Sequence, residues 1–197
     1  MVQFKAFDSR VEVNGESILS VVSGLGGKRK GVLNFSSAAY RILEENGIPD
    51  PKPGTWYPQQ NWLNAFRHIS EKTGSSTLRM IGRSIPENAR WIQVSSSMEE
   101  ALRSIDIAYH INHRIEGKIL YSPSTGQMRE GIGHYKYEPG EGEGEHKLVC
   151  DTPYPCSFDI GIIEATAEKF SGSVFVKHES DKCRRNPEER SCLYIIT

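Results

Sequence analysis

The four cysteines are the residues of this sequence best suited to chemistry. Cys150 and Cys156 flank the proline-containing tract DTPYP, and Cys183 and Cys192 end the segment CRRNPEERSC. Thiolates hold zinc at about 2.3 Å in a tetrahedral set of four ligands, and nearby lysine and arginine side chains would offset their charge. The same side chains could instead form disulfides or remain unconnected, partly buried thiols.

The chain lengths between the cysteines decide whether they can meet. The pattern after Cys156 predicts a helix from Phe158 to Phe170, about 20 Å long at 1.5 Å per residue. A strand over Ser173 to Asp181 would run back about 30 Å at 3.3 Å per residue. We therefore expect Cys183 to return to the neighbourhood of Cys156. All four cysteines would then share one small volume, which favours zinc.

The segment YHINHR places His110 and His113 three residues apart on a predicted helix. A haem sensor needs one proximal histidine on such a helix, so this pair is the candidate for haem ligation. A hydrogen-bonded structural role and zinc binding by the pair remain the alternatives. Neither GxSxG nor HExxH occurs in the sequence, and no nucleophile-base pairing is evident, so no catalytic residue is predicted.

Hydrophobic periodicity predicts helices first and a mixed region afterwards. The predicted helices are Glu16–Ser23, Ser36–Asn46, Gln59–Gly74, Thr77–Ser84 (ended by Pro86) and one capped by Ser96 or Ser97. The predicted strands are Val2–Phe7, Gly131–Tyr137, His146–Asp151, Ser173–His178 and Ser191–Ile196. This order predicts an α+β fold, with N-terminal helices followed by a β-β-α-β-β unit that has an antiparallel sheet. We expect a single domain over 1–197, mainly helical over 1–128 and α/β with the cysteine cluster over 129–197.

Apolar stripes on two of these helices predict either a core or a ligand pocket. Trp62 and Phe66 share a face of one helix, and Ile105 and Tyr109 share a face of another. Buried pockets for small ligands are lined by the same residue types. These four residues are the candidate pocket.

Composition limits the partners. With 37% hydrophobic residues, 25% charged residues and a net charge of −1, the chain has the balance of an ordinary globular domain. That charge gives no overall attraction for nucleic acid, and no apolar run reaches the roughly 20 residues of a membrane span. The first residues do not have the pattern of a signal peptide. We expect a cytoplasmic protein that binds a small apolar ligand and pairs with a second copy or a signalling protein.

A family resemblance is carried by the cysteine before GIIEATAEKF, by the strand SVFVKHES and by the closing DKCRRNPEERSCLYII. From Gly131 to Thr197 the chain resembles the C-terminal part of the 4-vinyl-reductase-type small-molecule-binding domain, a relative of the haem-nitric-oxide-binding fold. The resemblance implies a structural zinc at Cys156, Cys183 and Cys192. The fourth place, predicted for Cys150, is held by an acidic or other group in many relatives.

The function implied is a sensor or regulatory domain with a structural zinc and an apolar pocket roofed by the helices. One alternative is a haem-based gas sensor that uses His110 or His113. Another is an enzyme, or an accessory to one, acting on a tetrapyrrole-like substrate.

Overall fold

The computed structural model describes residues 3–24, 33–91 and 96–197. Its helices are α1 (Gly15–Gly24), α2 (Leu33–Glu45), α3 (Gln59–Thr73), α4 (Ser75–Asn88), α5 (Met98–Ile111) and α6 (Cys156–Ser171). Its strands are β1 (Val11–Asn14), β2 (Trp56–Pro58), β3 (His113–Ile115), β4 (Lys118–Ile119), β5 (Tyr135–Pro139), β6 (His146–Cys150), β7 (Val176–His178) and β8 (Cys192–Ile196).

The C-terminal unit has the predicted β-β-α-β-β order. Its strands pair antiparallel in the order β5-β6-β8-β7, and the α+β fold class is confirmed. The first strand begins at Tyr135, later than the predicted Gly131. Gly131 and Gly133 have φ angles of 121° and 77°, which a strand cannot contain.

A second sheet lies among the N-terminal helices, with the antiparallel order β2-β1-β3-β4. The sequence predicted only a strand over Val2–Phe7 in this region. Val2 lies outside the described residues, and Phe4 has a φ of 63°, which is left-handed and excludes a strand. The strands that do form have two to four residues, too few for an alternating pattern to stand out.

Helix ends follow local chemistry with two differences from prediction. Gly47 ends α2 as predicted, with a φ of 76° and a hydrogen bond from Ile48 N–H to Leu43 O at 2.8 Å, although the helix begins before Ser36, at Leu33. The helix predicted over Thr77–Ser84 runs on to Asn88 and contains Pro86. Proline removes only one hydrogen bond in this last turn.

The main helical contact is the close crossing of α4 and α6. A Cβ atom on Gly82 would lie 2.2 Å from Phe158 O, and one on Gly161 would lie 2.1 Å from Arg79 O. Arg79 and Arg83 both bind the buried carboxylate of Glu164 across this crossing. The two glycines therefore let the backbones touch, and the ion pairs hold the register.

Among the described residues, none of the helices has the length and hydrophobicity of a membrane-spanning segment. The single-domain organisation, the partners and the cytoplasmic location stay predictions.

The close crossing of α4 and α6 predicts whether a glycine-to-alanine change at Gly161 stabilises or destabilises the protein. In a free helix interior, Gly161→Ala would stabilise the protein by about 1 kcal/mol through helix propensity. Here the added methyl must push two backbones apart, so we expect a loss of about 1–3 kcal/mol in the free energy of unfolding, measured by urea denaturation.

Gly142→Ala is the matched control, because its added Cβ would meet nothing closer than 3.9 Å. It should stay within about 1 kcal/mol of wild type. A Gly161→Ala variant at least as stable as wild type would show that the backbones of α4 and α6 are not in close contact at Gly161.

Candidate functional site

Three cysteines and one histidine cluster where α6 begins. The Sγ atoms of Cys156, Cys183 and Cys192 are 3.6 to 3.9 Å apart, and a ring nitrogen of His178 lies within 4.8 Å of all three. Sulfurs bound 2.3 Å from one tetrahedral ion would be about 3.8 Å apart. A disulfide would need about 2.05 Å, and all four cysteines of the chain are free thiols.

Cys150, the fourth predicted ligand, is not part of this group, and His178 takes its place. Cys150 faces Cys192 across the β6–β8 ladder and is fully buried. Burial raises the pKa of its thiol well above the ordinary value, so the group stays protonated. His178 ends β7, opposite Tyr194, two residues beyond Cys192 on β8. Alternation along VFVKHE was the one sequence signal for it.

Two consecutive arginines support the sulfurs. Arg184 Nε lies 3.2 Å from Cys192 Sγ, and Arg185 Nε lies 3.3 Å from Cys183 Sγ. The hydrogen bond from Cys156 lowers the pKa of Cys192, and the Arg184 charge lowers it further. The same hydrogen bond between the two thiols raises the pKa of Cys156. The cluster therefore favours a thiolate at Cys192, as a metal site requires.

A buried ion pair adjoins the cluster. Arg184 Nη2 lies 2.5 Å from Asp159 Oδ2, and both side chains are almost fully buried. The hydroxyls of Tyr135 and Tyr194 also donate to this carboxylate, at 2.7 and 3.0 Å. Burial raises the pKa of Asp159 to about 6, although the arginine charge and the tyrosine hydrogen bonds oppose the rise. Asp159 is therefore mostly ionised at neutral pH.

A mostly apolar cavity lies between α3, α5 and α6. Trp62, Ile105 and Tyr109 line it as predicted pocket residues, whereas Phe66 packs behind Trp62 with ring centroids 4.3 Å apart. The space open to a water-sized sphere is about 40 Å³. At about 10–15 Å³ per water molecule, this is room for about three waters or a small apolar group.

His113 lies in the cavity wall with both ring nitrogens engaged. Nδ1 donates to Tyr109 O at 2.7 Å, so Nε2 carries the lone pair and accepts from the Tyr154 hydroxyl at 2.9 Å. Burial lowers the pKa of His113 to about 3, and the ring is therefore neutral. His110 is also fully buried but is not among the residues that line the cavity.

No protein-family model and no curated protein matches the sequence. Several solved structures, however, match the chain in fold. An H-NOX protein from S. oneidensis in the Fe(II)NO ligation state is 10% identical, with a TM-score of 0.61 over 93% of this chain and 98% of that one. A mutant of the T. tengcongensis H-NOX is 15% identical, with a TM-score of 0.63 over 93% and 96%.

An oxygen-binding H-NOX domain related to soluble guanylate cyclases is also 15% identical, with a TM-score of 0.56 over 93% of this chain and 92% of that one. The chain therefore has the H-NOX fold, in agreement with the haem-nitric-oxide-binding side of the resemblance. At these identities the likeness establishes the fold alone. The 4-vinyl-reductase-type assignment stays a prediction.

The low pKa of His113 predicts a pH dependence of stability. The unfolded ring titrates near 6.5, so the full stability is present above about pH 6.5 and falls by about 1.4 kcal/mol per pH unit as the pH drops toward 3. Between about pH 7.5 and 5, wild type should lose about 2 kcal/mol more than His113→Gln in urea denaturation.

Contributions from other groups are common to both proteins and cancel. Parallel pH profiles for wild type and His113→Gln would show that His113 is not the neutral buried ring described.

Proposed function

We propose that this chain is a small-molecule-sensing domain, with a ligand site in the helical cavity and a structural zinc at the cysteine cluster. The observation that carries the ligand site is the cavity itself. It is lined mostly by aromatic and aliphatic side chains, with Asn112 and His113 among its few polar groups, as in pockets that bind small apolar molecules.

The zinc assignment is supported by the sulfur separations. Cys156, Cys183 and Cys192 already have the spacing of a tetrahedral thiolate site, and His178 supplies a fourth donor. Four protein ligands close the coordination sphere, which is typical of structural zinc. The ion would fasten the start of α6 to the end of β7 and the start of β8.

The zinc site predicts which variants lose metal. Cys183→Ser, Cys192→Ser and His178→Ala should each bind about one equivalent of zinc less than wild type, measured by elemental analysis. They should also lower the free energy of unfolding by several kcal/mol, because structural metal binding contributes directly to folding. Chelator should destabilise wild type more than reductant does.

Cys150→Ser is the matched control, and its zinc content should remain that of wild type. The opposite result, with zinc lost from Cys150→Ser and kept by His178→Ala, would make Cys150 the fourth ligand. Wild type without metal would refute the site altogether.

Haem is the second candidate ligand, and the solved neighbours favour it over a domain with zinc alone. One is described in an Fe(II)NO state, and another concerns haem redox potential and porphyrin distortion. If haem were bound, it would supply an iron centre for a diatomic gas, with His113 as the histidine nearest to the cavity.

The residues of the described conformation do not fit haem. About 40 Å³ is far smaller than a porphyrin, and the His113 lone pair is already used by Tyr154. Among the described residues that line the cavity, no lysine or arginine is present to pair with the propionates. The proposal is therefore a small, mostly apolar ligand rather than haem.

The residues that line the cavity predict which substitutions should block ligand binding. Xenon, an apolar probe small enough for a space of this size, should bind purified wild type with about one equivalent and raise its melting temperature. Ile162→Phe should abolish binding while keeping the fold, because Ile162 lines the cavity. Ile163→Met, a change at the next residue of α6, should keep binding, because Ile163 is buried outside the cavity wall.

Probe binding that appears only on partial unfolding would show a solid core instead of a ligand site. Expression with a haem precursor gives the second measurement, and no Soret band above background is expected. A stoichiometric Soret band that disappears in His113→Ala or His110→Ala would establish the haem sensor instead.

A further inference from the structure

A second group of metal-binding side chains lies between α5 and the segment that leads into β5. Asp106 and His110 are one turn apart on α5, and His134 directly precedes β5. One donor atom of each lies within 4.8 Å of the other two. The Asp106 carboxylate is 3.0 Å from His134 Nδ1 and 3.5 Å from His110 Nδ1. None of the three belongs to the cysteine cluster.

His110 has an unused lone pair in the protein interior. Its Nδ1 donates to the backbone oxygen of Asp106 at 2.8 Å, so Nε2 is the basic nitrogen. The side chain is fully buried, and Nε2 has no hydrogen-bond partner among the residues that the structure describes. A buried polar atom without a partner lowers the free energy of unfolding by about 1–3 kcal/mol. A metal ion bound by Nε2 would remove this cost.

His134 is held in the orientation that a metal ligand needs. Its Nε2 is 2.9 Å from the Glu130 carboxylate, and its Nδ1 faces Asp106. A carboxylate that accepts from one imidazole nitrogen leaves the other nitrogen to the metal and raises its basicity. Glu130 is largely exposed and His134 partly exposed, which gives an ion a path from solvent.

We propose that Asp106, His110 and His134 form a second metal site, which binds a divalent first-row transition-metal ion such as zinc. Two imidazoles and one carboxylate suit such an ion, whereas magnesium and calcium prefer oxygen ligands alone. Ligands of a tetrahedral site of this kind are about 3.3 Å apart, so the group must contract by up to about 1.5 Å on binding. The His110 ring must also turn, so that Nε2 meets the ion in place of the Nδ1 that now faces Asp106.

The position of the site gives it a consequence for the cavity. Tyr109 precedes His110 and Tyr135 follows His134, and both tyrosines line the cavity with ring centroids 5.4 Å apart. A metal between Asp106, His110 and His134 would fix α5 to the start of β5 next to these two rings. The second metal site therefore lies where it can set the distance between these two tyrosines, and with it the width of the cavity.

Cobalt(II) titration of the metal-free full chain under reducing conditions tests the proposal. Wild type should bind about two equivalents, of which one gives the sulfur-to-cobalt charge-transfer absorption of a thiolate site and the other gives d–d bands without it. In His134→Gln and in Asp106→Asn the total should fall to about one, with the charge-transfer absorption unchanged.

His146→Gln is the control, because His146 bonds to Tyr137 outside both groups. It should keep both equivalents. Two equivalents in both His134→Gln and Asp106→Asn would overturn the second site, and so would a wild type whose cobalt all shows sulfur coordination. Failure of the cysteine site is distinguishable, since wild type would then bind cobalt without charge-transfer absorption and His134→Gln would bind none.

Discussion

The ion pair between Asp159 and Arg184 is the contact on which the C-terminal unit depends. Its two charges lie in the protein interior, where each needs the other. Arg184 also donates to Thr152 Oγ1 and Tyr154 O, which fixes the proline-containing turn before α6. Such a pair adds little net stability by comparison with apolar residues, but loss of either partner would leave a bare buried charge at a cost of about 3–5 kcal/mol.

Helix α6 brings the functional parts together because its faces serve different neighbours. Cys156 at its first turn belongs to the cysteine cluster, and Phe158 and Ile162, four residues apart on one face, line the cavity. Asp159 points to the sheet, where two tyrosines bind it. Gly161 meets α4 on another side. A shift of one residue along α6 would turn it by about 100° and misplace all of these contacts at once.

The sequence was sufficient for the fold class, which follows from element order and periodicity. The length argument expected all four cysteines together through a returning strand over Ser173–Asp181, but β7 covers only Val176–His178 and Cys150 lies outside the group; the family resemblance singled out the three cysteines that meet. The sequence was not sufficient for His178. The neighbour of a cysteine on β8 is decided by strand register, and a one-residue slip would put His178 on the other face.

Asp106 and His134 are 28 residues apart, and only the packing of α5 on β5 joins them, so no local spacing could indicate the pair. The same limit applies to the small N-terminal sheet, since strands of two to four residues are stabilised by their partners rather than by their own pattern. The extension of α4 past Pro86 also depends on packing, which offsets the one hydrogen bond that proline removes.

Cavity and cysteine cluster share one buried hydrogen-bond chain. The Tyr135 hydroxyl, in the cavity wall, donates to Asp159, Asp159 pairs with Arg184, and Arg184 donates to Cys192 in the cluster. In an interior of low dielectric, each of these bonds polarises the next, so the charge on Cys192 and the position of Tyr135 are not independent. Apolar residues of the same volume in place of Asp159 and Arg184 would pack as well, but they would remove the hydrogen-bond connection between the cavity and the cysteine cluster. The buried ion pair is therefore better understood as the link between the cavity and the cysteine cluster than as a source of stability.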